Sequence, residues 1–253
     1  MNPKYDLHMH TFYSDGSQSF EDILKKVKEI GLKCFGVTDH YEVGHNYTVK
    51  ENPEKYYAHF LKIKEEAEKF GITALIGAEI GFNDLELLKP KNLPEIDYII
   101  GSVHQMPQEL EEKEYWDLYR KYLENAVTKY DFQILGHAEG YLPVNKFMKS
   151  GSSFEDRRKY EKIIAKKYFS LEWYKDLAKE MNKNEIALEI HEMSESPRLE
   201  VINLMIENGV KLTYGTDSHA NYQLAKRDYF KKVLNELELN DENFLDIEAV
   251  RRK

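Results

Sequence analysis

The sequence predicts an α/β barrel of seven parallel strands. Two observations carry that expectation. Short apolar runs alternate with longer amphipathic stretches along the 253 residues, the order that gives a parallel sheet covered by helices. The runs are also nearly continuous in apolar residues, as strands buried on both faces are. The length suits one barrel, here taken as a single domain over residues 1–253. An open doubly wound sheet is the alternative architecture. No Gly-x-Gly-x-x-Gly follows the first run, so a dinucleotide site is not supported.

The elements follow in order. Residues 5–11 (YDLHMHT) read as the first strand. A helix is expected over 19–31, with Ser19 as N-cap, Asp22 as its acidic partner and Gly31 as the stop. The second strand is 33–40, and a helix over about 53–70 is opened by Pro53 and closed by Gly71. Strands at 73–82 and 96–104, an amphipathic helix at 112–129 and a fifth strand at 133–140 come next. Residues 141–158 are too apolar and aromatic for a free linker and read as an ordered loop or short helical insert. A helix at 159–182, a strand at 186–191 and a helix at 198–208 ended by Gly209 follow. A seventh strand at 211–219 and a helix over about 222–237 complete the set. The tail, with Asp246, Glu248, Arg251, Arg252 and Lys253, reads as a surface end.

Composition narrows the function. Lys plus Arg is 36 and Asp plus Glu is 45, a formal net charge of −9. Such a chain is a poor partner for nucleic acid or an anionic membrane, though a local basic pocket for phosphate is compatible with it. One cysteine, Cys34, cannot form an intrachain disulfide and suits a reducing compartment. No apolar run is long enough for a membrane span, and the N-terminus lacks an apolar signal core. The expected setting is the cytoplasm.

The histidines are concentrated at the C-terminal ends of the strands: His8, His10, His40, His104, His137 and His219, with His191 as a seventh. In parallel α/β folds these ends form one rim, where sites lie. His8 and His10 are two apart on a strand, so both imidazoles share a face. Asp15 follows in a Ser14-Asp15-Gly16 turn, and Asp217 and His219 again stand two apart. Glu79 lies within an apolar strand, where an unpaired carboxylate is very costly and a divalent cation is a suitable partner. Imidazoles with carboxylates and no thiolate suit Zn, Mn, Fe or Ni. The candidates His8, His10, Asp15, His40, Glu79, His104, His137, Asp217 and His219 are too many for one ion and would serve two or three. Glu79 could bridge. Neighbouring metals can generate hydroxide and neutralise both oxygens of an in-line displacement, most naturally on a phosphate ester.

His8-Met-His10, Ser14-Asp15-Gly16, Thr38-Asp39-His40, Gly77-Ala78-Glu79, Gly101-Ser102-Val103-His104, Gly136-His137 and Gly215-Thr216-Asp217-Ser218-His219 together resemble the PHP (polymerase and histidinol phosphatase) superfamily. The likeness spans residues 5–219 in order, and its nearest branch looks like histidinol-phosphate phosphatase. It implies a distorted seven-stranded TIM-like (β/α) barrel with three divalent metal ions. One would take His8, His10, Glu79 and Asp217, a second Glu79, His104 and His137, and a third Asp15, His40 and His219. It also implies a small phosphorylated substrate, L-histidinol phosphate first, attacked by a metal-activated hydroxide. Arg158 and Arg198 are the positions expected to hold phosphate, since Arg matches it bidentately. The chain departs from the branch after His40 (Tyr41 to His45), after His137 (Ala138 to Tyr141) and at Glu189-Ile190-His191. Those tips shape a substrate pocket, while the metal pattern is intact.

Plainer roles are expected elsewhere. His45 and His59 read as ordinary loop and helix residues, and Cys34 as a small core residue. Tyr56, Tyr57, Trp116, Tyr119 and Tyr122 read as helix packing. Glu111, Glu112 and Glu114 read as a solvated helix start. Glu189 and His191 read either as support for the ligands or as polar residues of a solvent rim. The competing functions are a PHP phosphodiesterase or nuclease, an amidohydrolase and a non-catalytic metal-binding regulator. The amidohydrolase reading is set aside because the fourth strand has no Lys.

Overall fold

The computed structural model describes residues 4–41, 52–82, 96–224 and 226–250. Seven strands pair in chain order, every neighbour parallel. They are β1 (Tyr5–Asp6), β2 (Cys34–Val37), β3 (Thr73–Gly81), β4 (Tyr98–Ser102), β5 (Ile134–Leu135), β6 (Ala187–His191) and β7 (Leu212–Gly215). The two ends of the sheet meet. The Leu7 N–H donates to the Tyr214 carbonyl at 3.0 Å, and Met9 bridges Ser218 in parallel. The result is a nearly closed barrel, as expected, and not an open doubly wound sheet.

The helices are α1 (Phe20–Ile30), α2 (Pro53–Glu68), α3 (Glu112–Lys129), α4 (Phe154–Tyr168), α5 (Leu171–Lys183), α6 (Leu199–Glu207), α7 (Asp228–Glu236) and α8 (Ile247–Val250). α1 starts where its capping box places it: Ser19 accepts from the Asp22 N–H and Asp22 accepts from the Ser19 N–H. It ends at Gly31, whose φ of 75° is left-handed. Phe20, Ile23, Leu24 and Val27 form its buried stripe, the spacing of one helix face. Inside the barrel, Tyr98 reaches from β4 to donate its hydroxyl to the Leu7 carbonyl at 2.6 Å. Gly36 makes room for it, since a Cβ there would stand 1.8 Å from the Tyr98 hydroxyl. Trp116 and Tyr119 are buried on α3 and Cys34 is buried on β2, in the packing roles expected of them, and Tyr115 is buried beside Trp116.

Several boundaries differ from expectation, each for a local reason. The fifth strand is two residues long, because His137 takes a positive φ of 23° and the chain turns there. The helix expected over 159–182 is two helices. A Ser153–Asp156 capping box starts the first earlier, and Ser170 caps the second after a break at Phe169. The 141–158 segment holds only a 3-10 turn at Asn145–Phe147 before α4 begins. The helix expected from about 222 begins at Asp228, where Glu192 accepts the N–H groups of Tyr229 and Phe230, both at 3.0 Å. His45, the tip residues 42–45 and the tail residues 251–253 lie outside the described residues, as does the side chain of Glu248.

Candidate metal centre

All nine candidate ligands are described, and they converge at the C-terminal rim of the barrel. Glu79, on β3, lies at the centre and is buried. Its Oε1 is 3.0 Å from His104 Nε2 and 2.8 Å from His137 Nε2, and it accepts from the Ser102 hydroxyl at 2.8 Å. Its Oε2 is 3.3 Å from His8 Nε2, 3.4 Å from His10 Nε2 and 3.3 Å from His40 Nδ1. Asp217 Oδ1 lies 2.9 Å from His10 Nε2 and 3.4 Å from His8 Nε2. Asp15 faces His219 Nε2 at 3.2 Å and His40 Nε2 at 3.6 Å.

The ligand atoms fall into groups lying within 4.8 Å of one another. His8, His10, Glu79 and Asp217 form one, wholly buried; His10, Asp15, His40 and His219 form another. His40, Glu79 and His104 form a third, while His137 joins the same region through Glu79 Oε1. Two of the three sets inferred from sequence are thus each drawn together, and His40 lies between two groups. His59 stands apart, between Tyr13 and Glu21.

The chemistry of this donor set fits divalent cations. His8 Nε2, both ring nitrogens of His10 and Asp217 Oδ1 are buried and have no hydrogen-bond partner. Buried polar atoms are rarely left so. Carboxylate oxygens lie near them, but out of hydrogen-bonding line. Donors that share a central cation are arranged in this way, with neutral imidazole and carboxylate as its ligands.

The electrostatics agree. Burial pushes the Glu79 carboxyl up, but His104, His8, His40 and His10 outweigh it and hold the group well below the usual carboxylate range. Burial pushes His10 down, but Asp217 and Glu79 outweigh it and raise its pKa to about 10. His40 is lowered to about 4, by burial first, against the pull of Glu79. A ligating imidazole must be unprotonated. His40 is therefore ready at neutral pH, whereas His10 must give up a proton. Cation binding at pH 7 is expected to release at least one proton per chain, and affinity should rise from pH 6 to pH 9. Zinc titrations by calorimetry in buffers of different ionisation enthalpy check this, and a heat independent of buffer would contradict it. The metal-free fold should behave oppositely. His10 is raised above its ordinary value, so its contribution is complete below about pH 6.5 and is lost as pH rises through about 10.

The structure supplies what the motifs did not. Glu189 and His191 are buried, against the solvent-rim alternative. Glu189 Oε1 accepts from His8 Nδ1 at 2.7 Å, and its Oε2 accepts the His137 N–H at 2.8 Å. Asp39 accepts from Thr11 N–H and its hydroxyl, both at 2.7 Å, and from Ser14, so it holds the loop that presents Asp15. Asp6 is buried and accepts from the N–H groups of His8 and Thr216 and from the Thr216 hydroxyl, tying the first strand to the last. Its place two residues before His8 on one strand face was the signal that could have found it. Tyr141 packs its ring edge against His191, centroids 5.0 Å apart.

Arg158 and Arg198 come together, lining a cavity of about 320 Å³ with Lys162, Ser194, Ser196 and Lys232. Both are engaged by carboxylates. Arg158 donates to Glu195 at 2.6 Å, a half-exposed partner. Arg198 donates through its side chain and backbone to the buried Glu139, and to the Phe169 carbonyl at 2.6 Å.

A parallel barrel with imidazoles and carboxylates gathered at its C-terminal rim defines the class: a barrel protein built to hold divalent cations. The family model of the PHP domain matches residues 6–193, and the chain belongs to the PHP domain family. A probable histidinol-phosphatase of Thermotoga maritima is 24% identical over 96% of this chain and 95% of its own. A probable phosphatase of Clostridium botulinum is 25% identical over 96% of this chain and 90% of its own. Among solved structures, histidinol phosphate phosphatase of Lactococcus lactis, crystallised with zinc, L-histidinol and phosphate, superposes with a TM-score of 0.71 at 17% identity. It covers 97% of this chain and 100% of its own, and confirms the fold.

Proposed function

We propose that this protein hydrolyses a small phosphomonoester, with L-histidinol phosphate the favoured substrate, to the alcohol and inorganic phosphate. Family membership, phosphatase relatives along nearly the whole chain and the clustered ligands identify a metal-dependent phosphoric ester hydrolase. The observation that carries the mechanism is the convergence of five imidazoles on the two oxygens of Glu79. Three divalent ions are proposed: one held by His8, His10, Glu79 and Asp217, one by Glu79, His104 and His137, and one by Asp15, His40 and His219. Zinc, manganese and iron all suit these ligands. When bound, such ions supply a water-derived nucleophile near neutral pH and neutralise phosphoryl charge.

The chain's own residues do the rest. Glu79 spans the cluster, one oxygen toward each half. Ser102 and Glu189 hold Glu79 and His8 in place by hydrogen bonds. Arg158 and Arg198 are the proposed phosphate contacts. Arg158 and its partner Glu195 are both partly exposed where they line the cavity, and a phosphate is proposed to replace that carboxylate. Arg158→Ala should therefore raise KM roughly tenfold or more, a loss on the order of 1.4 kcal/mol, with little change in thermal midpoint. Unchanged KM would remove Arg158 from the site. A cytoplasmic setting is part of the proposal, in keeping with the single buried cysteine. Among the described residues no helix is long and apolar enough to cross a membrane.

The test is phosphate release by metal-analysed protein from L-histidinol phosphate, p-nitrophenyl phosphate, its bis ester and a short oligonucleotide. Selective turnover of histidinol phosphate, abolished by His10→Ala, is expected. Preference for a diester would overturn the monoester assignment and leave the metal hydrolase standing.

A further inference from the structure

Among the described residues, β6 is the only strand whose tip supplies none of the nine candidate ligands, yet its polar side chains touch three of them, His8, His137 and Asp217. Ser194 holds His191 Nδ1 from two sides, its hydroxyl 2.6 Å away and its backbone N–H at 3.2 Å. The opposite ring nitrogen meets a carboxylate, which can only accept, so Nε2 is the donor. Nε2 faces Asp217 Oδ2 at 3.2 Å. The two oxygens of Asp217 are thereby given different work. Oδ2 accepts from His191, while Oδ1, with no hydrogen-bond partner, lies beside His8 and His10.

Glu189 performs the converse task. It accepts from His8 Nδ1, which turns the Nε2 of that ring toward the cluster. The loop behind His191 is seated firmly. Ser194 and Ser196 hydroxyls are 2.7 Å apart, and a Cβ at Gly140 would stand 1.9 Å from Ser194 Oγ. His8, Glu189 and His191 are also close enough to hold a cation themselves. Their hydrogen bonds argue for support instead: both Glu189 oxygens, His8 Nδ1 and both His191 nitrogens are already engaged.

We propose that His191 is a positioning residue of the metal centre, selecting which oxygen of Asp217 is offered to a cation and so setting the affinity of the site. This rests on the ligand assignment proposed above. The test compares His191→Phe, which keeps a planar ring without a donor, with His191→Gln, whose amide nitrogen can replace Nε2–H. The readout is zinc affinity, measured by chelator competition with zinc alone, beside the thermal midpoint of the metal-free variants. His191→Phe should weaken zinc binding about 10- to 100-fold, and His191→Gln should restore it to within a few-fold. Should the Phe variant not fold, His191→Asn, too short to reach Asp217, is expected to weaken zinc equally. Wild-type affinity in the Phe or Asn variant would overturn the proposal, as would equal weakening in Phe and Gln variants. His10→Ala separates the underlying reading, because wild-type zinc affinity in that variant would overturn the ligand assignment itself.

Discussion

Glu79→Gln is expected to fold and to fail as a metal centre. The amide keeps the volume of the carboxylate but removes the charge that faces His8, His10, His40, His104 and His137. Zinc content after dialysis should fall, and phosphate release should drop roughly a thousandfold or more, a loss on the order of 4 kcal/mol in transition-state stabilisation. Two independent readouts apply. Metal analysis reports the cation, and the pH dependence of zinc binding reports the imidazoles. Glu79 is one of the groups that hold the His10 pKa at about 10. Without it His10 gives up its proton more easily, so fewer protons should be displaced per ion that still binds. A Glu79→Gln protein with full metal content and full turnover would sink the proposed centre.

The second large effect is one of stability. Arg198→Ala removes the partner of Glu139, a buried carboxylate at the turn after β5. Removing one member of a buried ion pair costs about 3–5 kcal/mol, because the other charge is left uncompensated. At roughly 2–4 °C per kcal/mol for a domain of this size, the thermal midpoint should fall by about 10 °C. The loss should depend on pH with a definite sign. Burial already pushes the Glu139 carboxyl up against the pull of Arg198, so removing the arginine pushes it higher. A raised acid contributes stability when protonated and loses it as pH rises through its folded value. The variant should therefore be less penalised at pH 5 than at pH 8. Scanning calorimetry at both values decides it. A KM effect without a loss of midpoint would mean that Arg198 serves the substrate alone.

Some features of this fold are encoded within a few residues and others only by distant contacts. The cap at Ser19, the stop at Gly31 and the helix at 112–129 were legible because helix starts, stops and periodicity are written within a few residues. The break at Phe169 and the late start of α7 were not. The first was hidden in an unbroken amphipathic stretch, and the second depends on Glu192, some 37 positions away. The same division runs through the site. His8, His10, Glu79 and Asp217 could be singled out because strand alternation and a carboxylate inside an apolar run are visible along the chain. Asp6 is placed by the same alternation on the strand face of His8, but its role, accepting the N–H groups of His8 and Thr216, depends on the distant last strand.

The order of residues therefore determined the barrel, its rim and the identity of the groups gathered there, because each depends on periodicities of two or about four residues. Only the folded chain decided how those groups are paired. Glu189 reaches His8 across 181 positions, and His191 reaches Asp217 across 26. It also gave Arg198 a buried partner that no local pattern announces. The Glu189–His8 pairing depends on closing the sheet between Leu7 and Tyr214. Closure brings distant strand tips within hydrogen-bond reach, and burial there makes an unpaired charge costly enough to settle which partner each group takes.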